Sequence, residues 1–247
     1  MSDYDEASLK LSYAHRDAEE FVKTMQQHAK GLYREVIANV ITNKDATQRG
    51  INKGLKWFHD EMTQRDVGII FYSGHGDKYQ DSLYWLPSDV ETDDIFSTGV
   101  SEGKIKELLR GVPGKKLMVL DCCHAGKIGE KDVNKKGDQA LTDDLVRDLV
   151  NDEYGMIMMC SSTGRELSAE SHRHQHGYFT VALKEGLSGR PGDGSKLNGS
   201  DQNNDGSVYW NELDIYVSNR VKELSNGQQH PVSAHPSLRD FPLTKLP

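Results

Sequence analysis

Three short apolar runs govern what this 247-residue chain can fold into. Residues 67–72 (VGIIFY), 117–120 (LMVL) and 155–160 (GMIMMC) show no polar alternation. Each reads as a strand covered on both faces, the habit of parallel sheets. Helical patterns fill the intervals. Ala14, Ala18, Phe21, Val22, Met25 and Ala29 share one helical face, with Ser12 as the expected cap and Gly31 as the end. Thr47 is placed to cap a second helix carrying Ile51, Leu55, Trp57, Phe58 and Met62. Further helices are predicted over 101–110, 141–150, 177–187 and from the end of the 201–212 stretch to about Leu224. Residues 36–41 read as a short strand, residues 83–86 as a hairpin arm, and the tail shows no clear element. Strands alternating with helices predict an α/β chain: a mostly parallel sheet with helices on both faces.

Two of these runs end in chemistry. The first closes on Ser73-Gly-His-Gly76, read as a tight turn, and the second on Asp121-Cys-Cys-His-Ala-Gly126. In a right-handed crossover both ends emerge on one edge of the sheet, where open α/β sheets carry their sites. An imidazole facing a thiol supplies the base that a protonated cysteine needs to become a nucleophile. Gly76 and Cys123 amides could bind the oxyanion that develops. Net charge is −8, with 38 acidic against 30 basic residues and no long basic run, which argues against nucleic acid or an anionic membrane as primary partner. No stretch is long and apolar enough to span a bilayer, and no charged-then-apolar leader is seen. Three cysteines, two adjacent, make no disulfide framework, so a reducing, cytoplasmic setting is expected.

The motifs SGHG and DCCHAG at this spacing resemble the caspase-like cysteine peptidases, particularly metacaspases and their bacterial relatives. Residues 11–18 (LSYAHRDA) and 176–180 (HGYFT) extend the likeness through most of the chain, which is read as a single caspase-like domain over 1–247. The resemblance implies Cys123 as nucleophile, His75 as general base and acid, and protein or peptide substrates. Caspases proper carry Gln-Ala-Cys and cleave after aspartate; here Asp121 stands where that Gln would be. By the resemblance Asp17, Ser73 and Asp121 would line a pocket for Arg or Lys before the scissile bond (P1). Carboxylates at a pocket floor select a cation and repel an acid. The Lys-rich residues 127–140 are expected to be a flexible loop, open to self-cleavage. Family members carry a buried apolar strand ahead of the Ser2-Asp3-Tyr4 region, and none is present here. The sheet is therefore expected to lack its first strand, and an attached or missing N-terminal region is a possible partner.

Residues 201–212 (DQNNDGSVYWNE) match the twelve-residue EF-hand loop, with Asp201, Asn203, Asp205, the Ser207 carbonyl and Glu212 as calcium donors and Gly206 at the turn. Ca2+ is the one cofactor expected, structural or regulatory, with no organic cofactor. Asp89, Asp93, Asp94 and Glu102 form a second acidic stretch in the region where metacaspases often bind calcium. His172, His174 and His176 alternate, but lack a Cys or acid at ligand spacing and read as an exposed loop rather than a zinc site. Two other readings stand beside the peptidase: a catalytically silent caspase-like interaction module, and a calcium-responsive binding protein on the same scaffold.

Overall fold

The computed structural model describes residues 1–80, 82–124, 150, 155–162, 169–235 and 240–246, with backbone alone for Cys123 and His124. Among these residues the order is α1 (Ala14–His28), α2 (Gln48–Glu61), β1 (Val67–Tyr79), β2 (Ser82–Trp85), α3 (Ile95–Thr98), β3 (Val100–Ser101), α4 (Glu102–Leu109), β4 (Lys115–His124), β5 (Met156–Cys160), β6 (Glu170–Ser171), β7 (His176–Gly177), α5 (Tyr178–Leu187), β8 (Ser207–Tyr209), α6 (Trp210–Leu224), β9 (Val232–Ala234) and β10 (Pro242–Lys245). The expected loop at 127–140 and nearly all of the helix expected over 141–150 lie outside the described residues.

The main sheet runs β3-β2-β1-β4-β5-β9. Its centre, β1, β4 and β5, is parallel, and β2, β3 and β9 run antiparallel at the flanks. The apolar runs are continuous because both sheet faces are covered. Leu117, Val119, Ile157 and Met159 point into a core built with Phe21 and Met25 of α1, Phe179 and Leu183 of α5, and Leu213 and Val217 of α6. The intervening Met118, Leu120, Met156 and Met158 point the other way, towards Leu55 and Phe58 of α2 and Ile105 and Leu109 of α4. Strand alternation deals successive apolar residues to two different cores.

The sequence placed the helix starts of α2 and α4 correctly: Thr47 Oγ1 accepts from the Gly50 amide at 3.0 Å and Ser101 Oγ from the Lys104 amide at 3.2 Å. Four expectations need correction. Ser73–Gly76 is no turn, because β1 continues through it in parallel register with β4 before swinging to antiparallel pairing with β2. Residues 36–41 make no strand, and Ile37 and Val40 remain 63% and 45% exposed. Beside Val67 to Ser73, on the side away from β4, no strand is paired among the described residues, so the segment has no ladder to join. The tail is structured: β9 pairs with β5, and β10 pairs with β8. Ser12 does not cap α1, a task taken by a distant carboxylate described below.

Candidate active site

β1 and β4 lie in register, so that His75 stands opposite Cys123, Ser73 opposite Asp121, and Gly76 opposite His124. Neighbouring strands run about 4.8 Å apart, which brings the His75 and Cys123 backbones together at the carboxyl edge of the parallel sheet. Gly76 is also where β1 begins to pair with Trp85 of β2.

His75 is fixed from several sides. Its carbonyl accepts from the Leu86 amide at 3.0 Å and from the Tyr72 hydroxyl at 2.6 Å. Its amide donates to the Tyr4 hydroxyl at 2.9 Å, and the Tyr4 ring packs on the imidazole with centroids 5.2 Å apart. Nε2 sits 2.9 Å from the Leu9 carbonyl oxygen. A carbonyl only accepts, so Nε2 carries the proton and Nδ1 keeps its lone pair. Burial pushes the His75 pKa below the usual histidine range; the Leu9 carbonyl opposes that shift, as does Glu170, while the Met1 ammonium adds to it. Among the described residues Nδ1 has no hydrogen-bond partner, and a neutral imidazole with its other nitrogen tied back is arranged as a general base.

Beside this lies a pair of buried acids. Asp17 is 2% exposed and Asp121 7%. Buried carboxylates need partners, and these have them. Asp17 Oδ1 is 2.7 Å from His176 Nδ1 and accepts from the Gly177 amide at 3.3 Å. Asp121 Oδ2 accepts from the Thr180 hydroxyl at 3.5 Å. A Cβ added at Gly177 would stand 2.9 Å from Asp121 Oδ2 and 3.5 Å from Asp17 Oδ2. The two carboxylates thus converge on the space that Gly177 leaves open. Ser73, buried and next to Asp121 across the ladder, accepts the Met1 ammonium on its carbonyl at 2.5 Å. That ammonium feels Asp17, Asp121 and Glu170, which favour its charge, but burial outweighs them and brings its pKa down to about 6. Asp17, Ser73 and Asp121, chosen for one pocket, lie together.

Several groups here had no signal in the sequence. The Leu9 carbonyl and the Tyr4 hydroxyl come from a polar leader whose pattern says nothing about histidine. The β6–β7 hairpin, expected as an exposed loop, grips the start of α1. The Glu170 carboxylate accepts the amides of Ser12 at 3.2 Å and Tyr13 at 2.8 Å, capping the helix in place of Ser12. The Tyr13 hydroxyl meets His172 Nδ1 at 3.0 Å and Arg16 donates to Gln175 at 2.7 Å. His172 is exposed, as expected, but His176 turns inward to Asp17.

Residues 1–241 match the family model of the caspase domain, Peptidase_C14. The chain belongs to this caspase family. Its fold is shared by protein GSU0716 from Geobacter sulfurreducens, at a TM-score of 0.65 and 16% identity over 96% of this chain and 91% of that one. Caspase-1 from Spodoptera frugiperda superposes at a TM-score of 0.62, with 13% identity over 99% of this chain and 87% of that one. No curated protein matches the sequence. The family is one of cysteine peptidases with a caspase-like fold, consistent with a mostly parallel sheet between two helical layers. No helix among the described residues is long and apolar enough to cross a membrane.

The calcium donors expected in residues 201–212 are engaged in the loop's own bonding. Asp201 accepts from the Asp205 amide at 3.2 Å and the Gly206 amide at 3.0 Å. Asn203 Oδ1 accepts from the Asp205 amide at 2.8 Å, and Asp205 Oδ1 from the Ser207 amide at 2.9 Å. Glu212, 7% exposed, takes the Gln202 amide on one oxygen and the Tyr209 amide on the other, each at 3.0 Å. The second of these bonds caps α6 as half of a capping box. No group of three or more His, Cys, Asp or Glu that could hold a metal occurs among the described residues. The loop's oxygens, each keeping a further lone pair, are the ones that would hold a calcium ion. In the second acidic stretch Asp89 accepts from the Gln48 amide at 2.8 Å, Asp94 caps α3 at 3.2 Å, and Glu102 pairs with Lys106.

Proposed function

We propose that this caspase-family chain is a cysteine endopeptidase that cleaves protein substrates after Arg or Lys. The observation that carries the reading is the convergence of Asp17 and Asp121 on the space above Gly177, alongside a neutral, oriented His75 opposite Cys123. Each residue has a role. His75 Nδ1 takes the Cys123 thiol proton, and the thiolate sulfur attacks the scissile carbonyl carbon. The carbonyl oxygen, now negative, is received by the Gly76 and Cys123 amides. As the tetrahedral species collapses, the C–N bond breaks and His75 returns the proton to the departing amine. Water, deprotonated by His75, then hydrolyses the thioester and frees the acid product and the thiol.

The P1 side chain is recognised by charge. A guanidinium or ammonium entering beside Asp17 and Asp121 meets two desolvated carboxylates, and charge-assisted hydrogen bonds of this kind contribute roughly 1.5–3 kcal/mol each. An aspartate at P1 would meet the same carboxylates as repulsion. The test is a fluorogenic panel ending in Arg, Lys or Asp, run with native protein, Cys123→Ala and His75→Ala, with and without calcium. Arg and Lys peptides are expected to be cleaved by the native protein alone. Turnover of the Asp peptide in preference to both, or unchanged turnover in Cys123→Ala, would sink the proposal.

A further inference from the structure

We infer that residues 201–212 bind one Ca2+ ion, whether or not the chain is the peptidase proposed above. The donors are spaced as a twelve-residue calcium loop requires: Asp201, Asn203 and Asp205 at positions 1, 3 and 5, the Ser207 carbonyl at 7, the Glu212 carboxylate at 12. Four single oxygens and the pair on Glu212 make six, within the roughly six to eight that calcium takes. Two of the donors, Asn203 and Ser207, are neutral, so the site is an ordered set of oxygens and needs no close cluster of acids. Gly206, at position 6, has φ +81, the left-handed backbone that the sharp turn there requires. Each carboxylate or amide oxygen that accepts a backbone N–H in the loop has a second lone pair for a metal.

Charge, independent of that spacing, also points to a cation. Glu212 is buried at 7% exposure, and among the described residues no Lys, Arg or His pairs with it, with Asp201 or with Asp205. Elsewhere the protein balances its partly buried acids: Arg220 grips Glu185 and Glu223, and Lys184 reaches Glu20. Lys245 stands opposite Ser207 in the β10–β8 ladder, but its Cδ lies 4.0 Å from where a Cβ on Gly31 would be. Backbone amides satisfy the Glu212 oxygens as acceptors and bring no net charge, which a divalent ion would. The loop is also held from outside at both ends. Ser200, 0% exposed, donates its hydroxyl at 2.5 Å to the Gly186 carbonyl near the end of α5, fixing the chain just before Asp201. The Gly206 carbonyl accepts from the Leu246 amide at 2.8 Å, and Val208 and Trp210 are anchored in the core. Asn203 and Asp205 are exposed, so an ion enters from solvent. Donors fixed before binding lower the ordering cost of holding an ion.

The experiment strips the full chain with a chelator and titrates it calorimetrically with calcium chloride and, separately, magnesium chloride. One calcium site is expected, with Kd on the order of 10⁻⁵–10⁻⁴ M, between the sensor and extracellular classes of such loops. With free calcium about 100-fold above Kd, Tm should rise by about 5–10 °C. Hydrogen exchange locates the ion: calcium should slow the amides of residues 201–212 and those of Thr244 and Leu246, which the loop holds through β8 and Gly206. Asp205→Asn, exposed and still offering an acceptor to the Ser207 amide, should weaken binding at least tenfold and leave the Tm in chelator unchanged. Asp201→Asn is the second variant should the first not fold. No heat and no Tm rise at about 10 mM calcium, above the weakest class of such loops, overturns the inference. So does an equal response to magnesium, protection confined to residues outside 201–212 and 242–246, or native affinity in the Asn variant. None of these readouts needs turnover, so a protein that cleaves no peptide defeats the peptidase reading and leaves this one to its own test.

Discussion

Gly177→Ala is the most economical probe of the pocket. One methyl group added there would stand 2.9 Å from Asp121 Oδ2, where ordinary contact begins about half an ångström further out, and 3.5 Å from Asp17 Oδ2. The Gly177 backbone is at φ −63, a value any residue adopts, so the substitution carries no backbone strain and acts only through the pocket. Asp121 must yield, although it is buried and bonded to Thr180. Overpacking of this kind costs about 1–3 kcal/mol. For a chain of this length that corresponds to a fall in Tm of roughly 2–12 °C. The methyl also takes the space a P1 guanidinium would occupy, so kcat/KM for an Arg peptide should drop at least tenfold, about 1.4 kcal/mol. Gly103→Ala is the matched control. It lies in α4 with only Ser101 Oγ within reach, at 4.0 Å, and should gain about 0.5 kcal/mol from helix propensity. Differential scanning calorimetry and peptide kinetics on both variants read the contrast. Equal Tm shifts of one sign, or an unchanged Arg kcat/KM in Gly177→Ala, would refute the account of this space.

Other perturbations test the rest of the structure. Because burial holds the His75 pKa below 6.5, the base is lost only as pH falls through that lowered value, so the acid limb of kcat/KM should have its midpoint under 6.5. A midpoint above 7 would contradict it. Arg220, 3% exposed, grips both oxygens of Glu185 at 2.6 and 3.1 Å and Glu223 at 2.7 Å, so Arg220→Ala takes the cation from two partly exposed acids that keep other hydrogen bonds. It should cost about 1–3 kcal/mol in urea unfolding, and a loss under about 0.5 kcal/mol would show the cluster to be incidental. Glu212→Ala removes the acceptor for the Gln202 and Tyr209 amides and should cost about 1–3 kcal/mol in urea unfolding, and no loss would show these bonds to be incidental.

The sheet centre was legible because its strands are buried on both faces, and burial on both faces writes itself as unbroken apolar runs at 117–120 and 155–160. The helix caps Thr47 and Ser101 were legible because a hydroxyl beside the first turn acts locally. What escaped was non-local. Nothing near Ser12 announces that Glu170 will cap α1, and no side-chain pattern marks the Leu9 carbonyl as the partner of His75. Residues 36–41 carry strand-forming side chains, yet a strand requires a neighbour that no window of sequence reveals. β9 and β10 are three and four residues long, too short for periodicity to register. His176 lay within a stretch that drew attention for its family likeness, but its alternating neighbours suggested an outer loop rather than a contact to Asp17.

The grip of the β6–β7 hairpin on α1 has a consequence for how the molecule matures. The bonds from Glu170 to Ser12 and from His176 and Gly177 to Asp17 join residues 158 to 160 apart in sequence. Helices and adjacent strands form from nearby residues, whereas closing so long a loop is entropically late. The His75 and Cys123 strands are neighbours joined by a much shorter crossover and carry Ser73 and Asp121 with them, so a growing chain pairs these strands before it fixes Asp17. On the proposed function, a folding intermediate arrested at that point would hold the candidate dyad beside a half-built pocket, and the hairpin contact would be the event that completes it.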